Sequence, residues 1–406
     1  MPNTALQEKT VRVLATAQVL NGVGVAGTVA AGSLLVASIT ESETLAGLAQ
    51  TSSVLGAAAL ALPLARLTAR GGRRLALSAG FVAGVIGSLF AIYGGSQKNI
   101  FFMLLGTFLV GAASAAGYQA RFAAVDLATN ETRAKQLSFV VWGSTVGAVT
   151  GPNLMEPAGN LAERIGLPRL TGPYVVSAVT LSLAILVIQL FLRPDPFLTA
   201  VKQSGLVTKP KGATKAALHH IRSNDRALFA ILSIAIGHVA MVSIMVMTPV
   251  HMAHVDVSLR LIGLVISVHV LGMYALSPVV GKIVDRYGRV KTILIGVTIL
   301  LMSALISGLA YADAVVQLGI GLFLLGLGWS CTLIAGSTLL AESLPDEIKA
   351  SGQGLSDLCM NGGGAIGGAL AGIVIAFSSY GWLCALMALP VLYLGGRAWG
   401  LRVTSK

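Results

Sequence analysis

Long stretches without a charged residue limit most strongly what this chain can fold into. Eleven of them reach the length of about 20 residues that a helix needs to cross the hydrocarbon core of a bilayer. They are residues 13–40, 44–65, 75–97, 99–120, 136–155, 170–192, 227–255, 261–281, 292–312, 314–341 and 358–396. With 55% hydrophobic and only 11% charged residues, the chain could not cover a soluble domain with polar surface. The stretches therefore predict membrane-spanning helices.

The last stretch is long enough for two crossings. It contains Ser378-Ser379-Tyr380-Gly381, and small polar residues with glycine favour a turn. A break there gives one helix over about 350–377, which then includes Asp357, and another over about 381–400. The predicted fold class is an all-α integral membrane protein with twelve transmembrane helices.

Lysine and arginine are distributed very unevenly between the loops on the two sides of the predicted bundle. An even number of helices puts both termini on one side, and that side carries 24 of the 28 basic residues. The opposite side has only Lys98, Arg164, Arg169 and Arg260. Because basic loops stay in the cytoplasm, we expect both termini to be cytoplasmic. Charge dispersed over short loops is not a nucleic-acid-binding face, so no nucleic-acid partner is expected.

The sequence repeats itself at one constant offset, which takes Arg73 to Arg289. Residues 281–289 (GKIVDRYGR) align with residues 65–73 (ARLTARGGR), and the region around Asp126 and Arg133 aligns with that around Glu342 and Lys349. The polar segment 193–226 lies between the two copies and is predicted to be a linker. We therefore predict a six-helix bundle at 1–192, a cytoplasmic linker at 193–226 and a second bundle at 227–406. An axis along the membrane normal would relate the two bundles.

These features resemble the major facilitator superfamily, whose loop motif G-x-x-x-D-R-x-G-R is matched in full by residues 281–289. The glycines that lead to Gly151-Pro152 in helix 5 are similar to part of a motif of drug/proton antiporters. The resemblance implies two pseudo-symmetric six-helix bundles. Two positions depart from the pattern: Ala69 stands where the first loop usually has an acid, and Thr107 stands where drug antiporters tend to carry an arginine.

The resemblance also implies a set of gating residues. Asp285 would meet the N-terminus of a helix in the other half, where free N–H groups and the helix dipole favour a carboxylate. Such a contact could latch one access state. The full set of gating candidates is Arg70, Arg73, Asp126, Arg133, Gly147, Gly151, Pro152, Gly281, Asp285, Arg286, Gly288, Arg289, Glu342 and Lys349. The alternatives are that the basic residues only set topology and that the glycines only allow close helix packing.

Polar and aromatic residues recur at helical spacing in helices 1, 4, 7 and 10, which by the resemblance line the central path. The candidates for solute binding are Gln18, Asn21, Thr107, Ser114, Tyr118, Arg121, His238, Met241, Met245 and Trp329. Aromatic, methionine and amide groups together suit a small amphiphilic solute. Any one of them could instead serve only to bond helices together, and Arg121 could extend its charged end to the cytoplasm.

Ionisable residues inside predicted spans are candidates for proton coupling. Asp357, His238 and His269 lie within such spans. A histidine titrates near neutral pH, and a buried carboxyl group can hold a proton. The alternatives are a structural ion pair for Asp357 and packing roles for the two histidines.

These observations predict a secondary active transporter of a bacterial cytoplasmic (inner) membrane. We expect an antiporter for the efflux of small amphiphilic solutes, driven by protons through alternating access. An uptake carrier on the same fold and a non-transporting membrane sensor or assembly protein are the alternatives. An enzyme is not expected, and the three cysteines form no metal-binding pattern, so no cofactor is predicted. The expected partners are the lipid bilayer, the solute and protons, with the chain acting as a monomer.

Overall fold

The computed structural model describes residues 4–42, 45, 47–204, 212–253 and 258–404. In these ranges the chain forms fifteen α-helices and one short 3-10 helix, Arg169–Thr171. The α-helices are α1 (Thr4–Thr40), α2 (Leu48–Ser96), α3 (Ile100–Ala123), α4 (Arg133–Asn153), α5 (Met155–Arg164), α6 (Gly172–Phe191), α7 (Pro196–Gln203), α8 (Ala213–Ser223), α9 (Asp225–Ala253), α10 (Leu259–Tyr274), α11 (Ser277–Tyr287), α12 (Arg289–Gly308), α13 (Val315–Ser343), α14 (Lys349–Phe377) and α15 (Tyr380–Thr404).

The helices account for the twelve predicted crossings. In the described ranges, ten segments are long and apolar enough to span a membrane. One of them, α2, has 49 residues and consists of two helices that meet at a kink at Gly72, so it supplies two crossings. The less apolar α4 has 21 residues and supplies another, while α10 and α11 share one. The break that we predicted in the last apolar stretch is confirmed, because α14 ends at Phe377 and α15 begins at Tyr380.

The apolar stretches 44–65 and 75–97 form two helices, as predicted, and they meet at Gly72 within α2. Gly72, with φ 86° and ψ 178°, leaves the helical conformation, while the residues between the two stretches on either side of it are helical. Alanine, leucine and arginine dominate this segment and are good helix formers, whereas a positive φ is readily adopted by glycine alone. The predicted linker is also partly helical, since it contains α7 and α8.

One face of α6 shows that its surroundings are apolar. Its buried residues include Ser177, Leu181, Ala184 and Ile188. On other positions of the same helix, large apolar side chains are 45–61% exposed: Val179, Leu183, Leu186 and Leu190. These four are spaced by four, three and four residues and therefore share a face. Such a stripe fits contact with lipid.

The described chain divides into two compact units. Unit 1 comprises Met1–Thr129, Gly143–Thr214 and Asp346–Leu358, and unit 2 comprises Asn130–Trp142, Lys215–Pro345 and Cys359–Lys406. The start of α4 thus belongs to unit 2, and the start of α14 belongs to unit 1. These compact units are defined differently from the sequence domains 1–192, 193–226 and 227–406, which stay a prediction.

In unit 1, α1 and α4 approach each other through glycines. A methyl group on Gly147 would overlap the backbone of Gly22, and one turn later a methyl group on Gly151 would lie 2.5 Å from Ala26 Cβ. α4 corresponds to predicted helix 5, and the close-packing face predicted for that helix is therefore present. Small residues at such a crossing let backbones pack tightly, which is a main source of helix association in membranes.

We expect Gly147→Ala to destabilise unit 1, because the added methyl group meets backbone that cannot move aside as a side chain could. Overpacking of this kind costs roughly 1–3 kcal/mol. The matched control is Gly372→Ala in α14, where a methyl group meets nothing within 4 Å. Thermal unfolding in detergent should show a lower midpoint for Gly147→Ala alone. Equal midpoints for the two variants would contradict the packing described here.

Candidate functional site

A buried arginine–carboxylate pair joins α2 to the loop after α3 in unit 1. Arg73 directly follows Gly72, where α2 is broken. Its Nε and Nη2 atoms donate to Asp126 Oδ2 and Oδ1 at 2.8 and 3.0 Å. Both side chains are only 1% exposed. The fork of the guanidinium matches the two carboxylate oxygens, which is the strongest geometry for such a pair.

Unit 2 contains the same pair at the equivalent positions of the repeat. Arg289 follows Gly288, which has φ 92°, and its Nη2 donates to Glu342 Oε1 at 2.6 Å. Arg133 Nη1 lies 3.4 Å from the same carboxylate oxygen. The offset found in the sequence therefore carries over to backbone conformation and to ion pairing, which is how duplicated segments should behave.

Asp285 binds the N-terminus of α4, as the family resemblance implied. Its carboxylate accepts hydrogen bonds from the backbone N–H groups of Ala134 and Lys135 at 3.1 and 2.8 Å. Gly281 lies against Ser138, and a methyl group on Gly281 would overlap the Ser138 side chain. These first N–H groups have no partner within the helix, so the carboxylate satisfies donors that the helix cannot.

The equivalent contact in unit 1 uses different chemistry. Ala65 and Gly354 are the repeat equivalents of Gly281 and Ser138, and they also touch. Ala69, which replaces the acid, cannot accept a hydrogen bond. Arg73 Nη2 instead donates to Gln353 Oε1 on α14 at 2.7 Å. The start of α14 is thus held by a side-chain contact instead of a capping carboxylate.

Asp195, from the predicted linker, binds the backbone of α2 just after Arg73. Its Oδ2 accepts from Arg74 N at 2.7 Å, and its Oδ1 accepts from Phe197 N at 3.0 Å and caps α7. Neither Asp195 nor Gln353 was identified from the sequence. The local signal of Asp195 was available, because Asp followed by Pro is typical of a helix start. Nothing local identified its partner, Arg74.

A second buried ion pair of unit 1 is that of Arg121 on α3 and Asp357 on α14. Arg121 Nη2 lies 2.6 Å from Asp357 Oδ1, and the two side chains are 2% and 0% exposed. Arg121 Nη1 also donates to Tyr118 O at 2.8 Å, and the guanidinium carbon lies 4.5 Å from the centre of the Phe122 ring. The expectation that Arg121 could extend to solvent is wrong, since its charge is neutralised by Asp357 inside the protein.

This pair has no counterpart in the repeat. The positions equivalent to Asp357 and Arg121 are Val141 and Ser337. Desolvating two charges costs several kcal/mol, and a buried pair contributes little net stability over apolar residues of similar volume. The pair therefore occurs in only one copy of the repeat.

Gln18 and Asn21 on α1 present amide groups inside unit 1. Gln18 Nε2 donates to Ser144 Oγ at 2.8 Å, and Asn21 packs against Gly117 of α3. Their amide oxygens are buried and have no hydrogen-bond partner among the described residues. A buried acceptor without a partner is costly, so these oxygens are suited to N–H or O–H groups of a bound molecule.

The other predicted solute contacts of unit 1 lie on α3. Ser114 and Tyr118 are half-buried. Thr107 donates to Leu104 O at 2.9 Å and borders a cavity of about 10 Å³. A space of this size holds about one water molecule, so Thr107 does not face a solute-sized cavity in this structure.

In unit 2, His238 and Trp329 form a buried polar contact. Trp329 Nε1 donates to His238 Nδ1 at 3.1 Å. Since indole N–H is only a donor, this nitrogen of His238 must be unprotonated here. Tyr274 meets Trp329 edge to face at 5.6 Å between ring centres. One helical turn along α9, Met241 is buried, and Met245 follows half-buried.

His269 is isolated from this group. It is fully buried, and its Nδ1 lies 2.7 Å from Leu322 O. A carbonyl only accepts, so Nδ1 carries the hydrogen, and Nε2 has no partner among the described residues. The structure brings together Arg121 and Asp357 in unit 1. His269 belongs to unit 2, and its role in proton coupling stays a prediction.

The remaining gating candidates are more scattered. Arg70 and Arg286 are exposed. Lys349 is the repeat equivalent of Arg133, and it pairs with Asp346. The side chain of Pro152 lies outside the described residues. In the parts of the chain that the structure describes, no group of three or more His, Cys, Asp or Glu side chains is placed to hold a metal ion.

Comparisons with known proteins agree with this geometry. The model of the Major Facilitator Superfamily matches residues 14–256 and 230–402. The MFS-type transporter YdeG of Bacillus subtilis is 36% identical and is aligned over 96% of this chain and 92% of its own length. The chain therefore belongs to the major facilitator superfamily, and it is a multi-pass membrane transporter.

Three less similar proteins carry names that differ in the solute or role they state. The riboflavin transporter RfnT of Brucella anthropi is 26% identical over 94% of this chain and 92% of its own length. The putative multidrug resistance protein MdtD of Citrobacter koseri is 28% identical over 43% of this chain and 44% of its own length. A bacterial homologue of the iron transporter ferroportin, in the outward-facing state, has a TM-score of 0.73 at 13% identity and covers 98% of this chain and 99% of its own. That last similarity shows the fold alone.

Replacing one partner of the Arg121–Asp357 pair should destabilise the protein strongly. Asp357→Asn leaves a buried cation without its counter-charge, a change that typically costs about 3–5 kcal/mol. Arg121→Gln leaves the opposite charge unpaired. The double variant Arg121→Gln/Asp357→Asn removes both charges and should recover much of the loss. Thermal unfolding in detergent measures this cycle, and additive losses in the double variant would contradict direct coupling between the two groups.

Proposed function

We propose that the chain is a proton-coupled exporter of small amphiphilic solutes in a bacterial cytoplasmic membrane. The observation that carries the proposal is the buried Arg121–Asp357 pair, which the repeat does not duplicate. Both termini and the basic loops are assigned to the cytoplasm from the distribution of lysine and arginine. Transport is by alternating access, the mechanism that the fold class supports.

Asp357 is the proposed proton carrier. While its carboxylate is ionised, attraction to Arg121 in a low-dielectric interior holds α3 and α14 together at this level. When Asp357 takes up a proton, that attraction falls and the two helices can separate at lower cost. Arg121 is then able to accept another anionic or polar partner. Proton uptake is thereby linked to a change in helix packing, which is what coupling requires.

Solute contact in unit 1 is proposed for Gln18 and Asn21, with Tyr118 beside them on α3. The two amide oxygens without partners would accept hydrogen bonds, and the tyrosine ring would contact an apolar part. In unit 2, the Trp329 and Tyr274 rings with Met241 form a separate apolar surface that has His238 as its polar group. Such mixed surfaces match molecules that are partly aromatic and partly polar.

Efflux is favoured by the glycine-rich face of α4 that ends in Gly151-Pro152 and is similar to part of a drug/proton antiporter motif. Uptake is the second candidate, and it is favoured by a different observation. RfnT, named as a riboflavin transporter, aligns with nearly the whole chain, whereas MdtD aligns with less than half of it. Fold alone does not decide direction, so the two candidates need a flux measurement.

Reconstitution in liposomes with an imposed pH gradient should show solute movement linked to proton movement. A suitable panel includes riboflavin and cationic amphiphilic dyes, with internal pH followed at the same time. Solute leaving the side that protons enter supports efflux, and solute and protons moving together support uptake. An absence of flux for the whole panel would favour a non-transporting sensor or assembly protein.

In the fraction of Asp357→Asn protein that remains folded, measured by thermal unfolding before reconstitution, accumulation driven by the gradient should be abolished and downhill exchange of the same solute should remain. The neutral amide keeps the shape of the side chain and cannot carry a proton. Asp313→Asn, at an exposed loop position, is the matched control and should accumulate solute normally. Accumulation that survives Asp357→Asn would rule out this residue as the proton carrier.

The second proposed element is the contact of Asp285 with the N-terminus of α4, which would stabilise one access state. Asp285→Asn weakens a charge-assisted contact with two backbone N–H groups, and losses of about 1 kcal/mol are typical for a helix cap. The opened state should therefore be populated roughly fivefold more.

Alkylation of a cysteine at position 138 would detect that opening, because Ser138 packs directly on Gly281. Ser138→Cys is placed in a background in which Cys331, Cys359 and Cys384 are replaced by Ser. The reaction should be several times faster with Asp285→Asn than with the control Lys282→Gln, which changes an exposed neighbour. An unchanged rate would mean that Asp285 does not hold this contact closed.

A further inference from the structure

The short helix α8 is fixed at the ends of two membrane-spanning helices in unit 2. Ala217 and Ile221 on its inner face are buried. His220 Nε2 lies 2.9 Å from Ser343 O, and Ser343 is the last residue of α13. At the same end of the helix, α8 stops at Ser223 and α9 begins at Asp225. The C-terminal end of α8 therefore lies where these two spans end.

The opposite face of α8 is basic and partly apolar. Lys215, Leu218, His219 and Arg222 are all exposed. Their spacing of three, one and three residues puts them on a single helical face. Residues 196–224 contain no Asp or Glu, and the next carboxylate along the chain, Asp225, lies 3.5 Å from Arg397. Exposure of a leucine side chain to water is unfavourable. A leucine between cations is typical of a helix that lies at a membrane interface.

We propose that this face of α8 binds the headgroups of anionic phospholipids, with Lys215 and Arg222 contacting phosphate and Leu218 inserted beside the acyl chains. A nucleic acid or an acidic protein would match the charges but not the leucine. A lipid headgroup matches both and is present at the ends of α9 and α13. The inference uses the cytoplasmic assignment of the basic loops, and it is independent of the solute and of proton coupling.

Two alternative roles for these cations predict different results. If the basic residues only set topology during insertion, any pair of cations on the same side is equivalent. If the face binds phosphate groups in general, inorganic phosphate competes with lipid. Electrostatic binding to a lipid surface is worth about 1 kcal/mol for each Lys or Arg, so removal of two such residues should be measurable.

The test is native mass spectrometry of the full chain in detergent, titrated with phosphatidylglycerol or phosphatidylcholine. The unmodified protein should retain phosphatidylglycerol in preference to phosphatidylcholine. Lys215→Gln/Arg222→Gln should weaken retention of phosphatidylglycerol at least tenfold and leave phosphatidylcholine unaffected. Leu218→Ser should weaken it to a smaller extent, because the charges remain.

The matched control is Arg66→Gln/Lys282→Gln, which removes two exposed cations from the same side of the protein. It should retain phosphatidylglycerol as the unmodified protein does. Three outcomes would overturn the proposal: equal loss in the control, no preference for phosphatidylglycerol in the unmodified protein, or displacement of the lipid by millimolar inorganic phosphate. A normal melting temperature for the α8 variant shows that a loss of lipid does not reflect unfolding, since both replaced side chains point away from the packed face.

Discussion

Charged side chains in the interior of this protein occur as arginine–carboxylate pairs, and these pairs decide how several segments are arranged. An unpaired charge away from water is too costly to keep. Arg73 therefore requires Asp126 and Arg121 requires Asp357, whereas Arg289 and Glu342 form the equivalent of the first pair with both side chains partly exposed. Each pair joins segments that are far apart in sequence. The position of α14 in unit 1, for example, depends on two arginines, because Arg73 bonds Gln353 and Arg121 bonds Asp357.

Duplication explains the scaffold, and departures from it mark where the two copies have different roles. The break at Gly72 and Gly288 and the pairs that follow are the same in both copies. Asp285 and Ala69 differ, and the difference is compensated locally. Asp285 caps α4, whereas with Ala69 the corresponding contact is made by Arg73 and Gln353. A residue lost from one copy of a motif thus need not abolish the contact, because neighbouring side chains can hold the same segments by other bonds.

The side chains proposed to contact a solute are different from those that hold the fold. Membership of the major facilitator superfamily follows from the family match and from the relatives aligned over nearly the whole chain. The solute does not follow from it, because one fold serves many substrates. The features proposed to select a solute are individual: two amide oxygens without partners on α1 and an aromatic group around Trp329. Each of them is a departure from the apolar packing around it.

Much of the fold was contained in the sequence, because the bilayer acts on features that are local or periodic. The length of an apolar stretch fixes a crossing, and the turn residues at 378–381 were sufficient to separate α14 from α15. The constant offset of the repeat identified Arg73, Asp126, Arg289 and Glu342 as equivalent positions, and the family motif located the partner of Asp285 at the start of a helix in the other half.

Only the tertiary structure decided which of the remaining charges meet. Arg121 and Asp357 are 236 residues apart and have no equivalents in the repeat, so neither periodicity nor symmetry connects them. The same holds for Arg74 and Asp195. A charge pair forms where packed helices bring two side chains within hydrogen-bonding distance. That distance is set by the packing of the whole chain, which local sequence patterns do not contain.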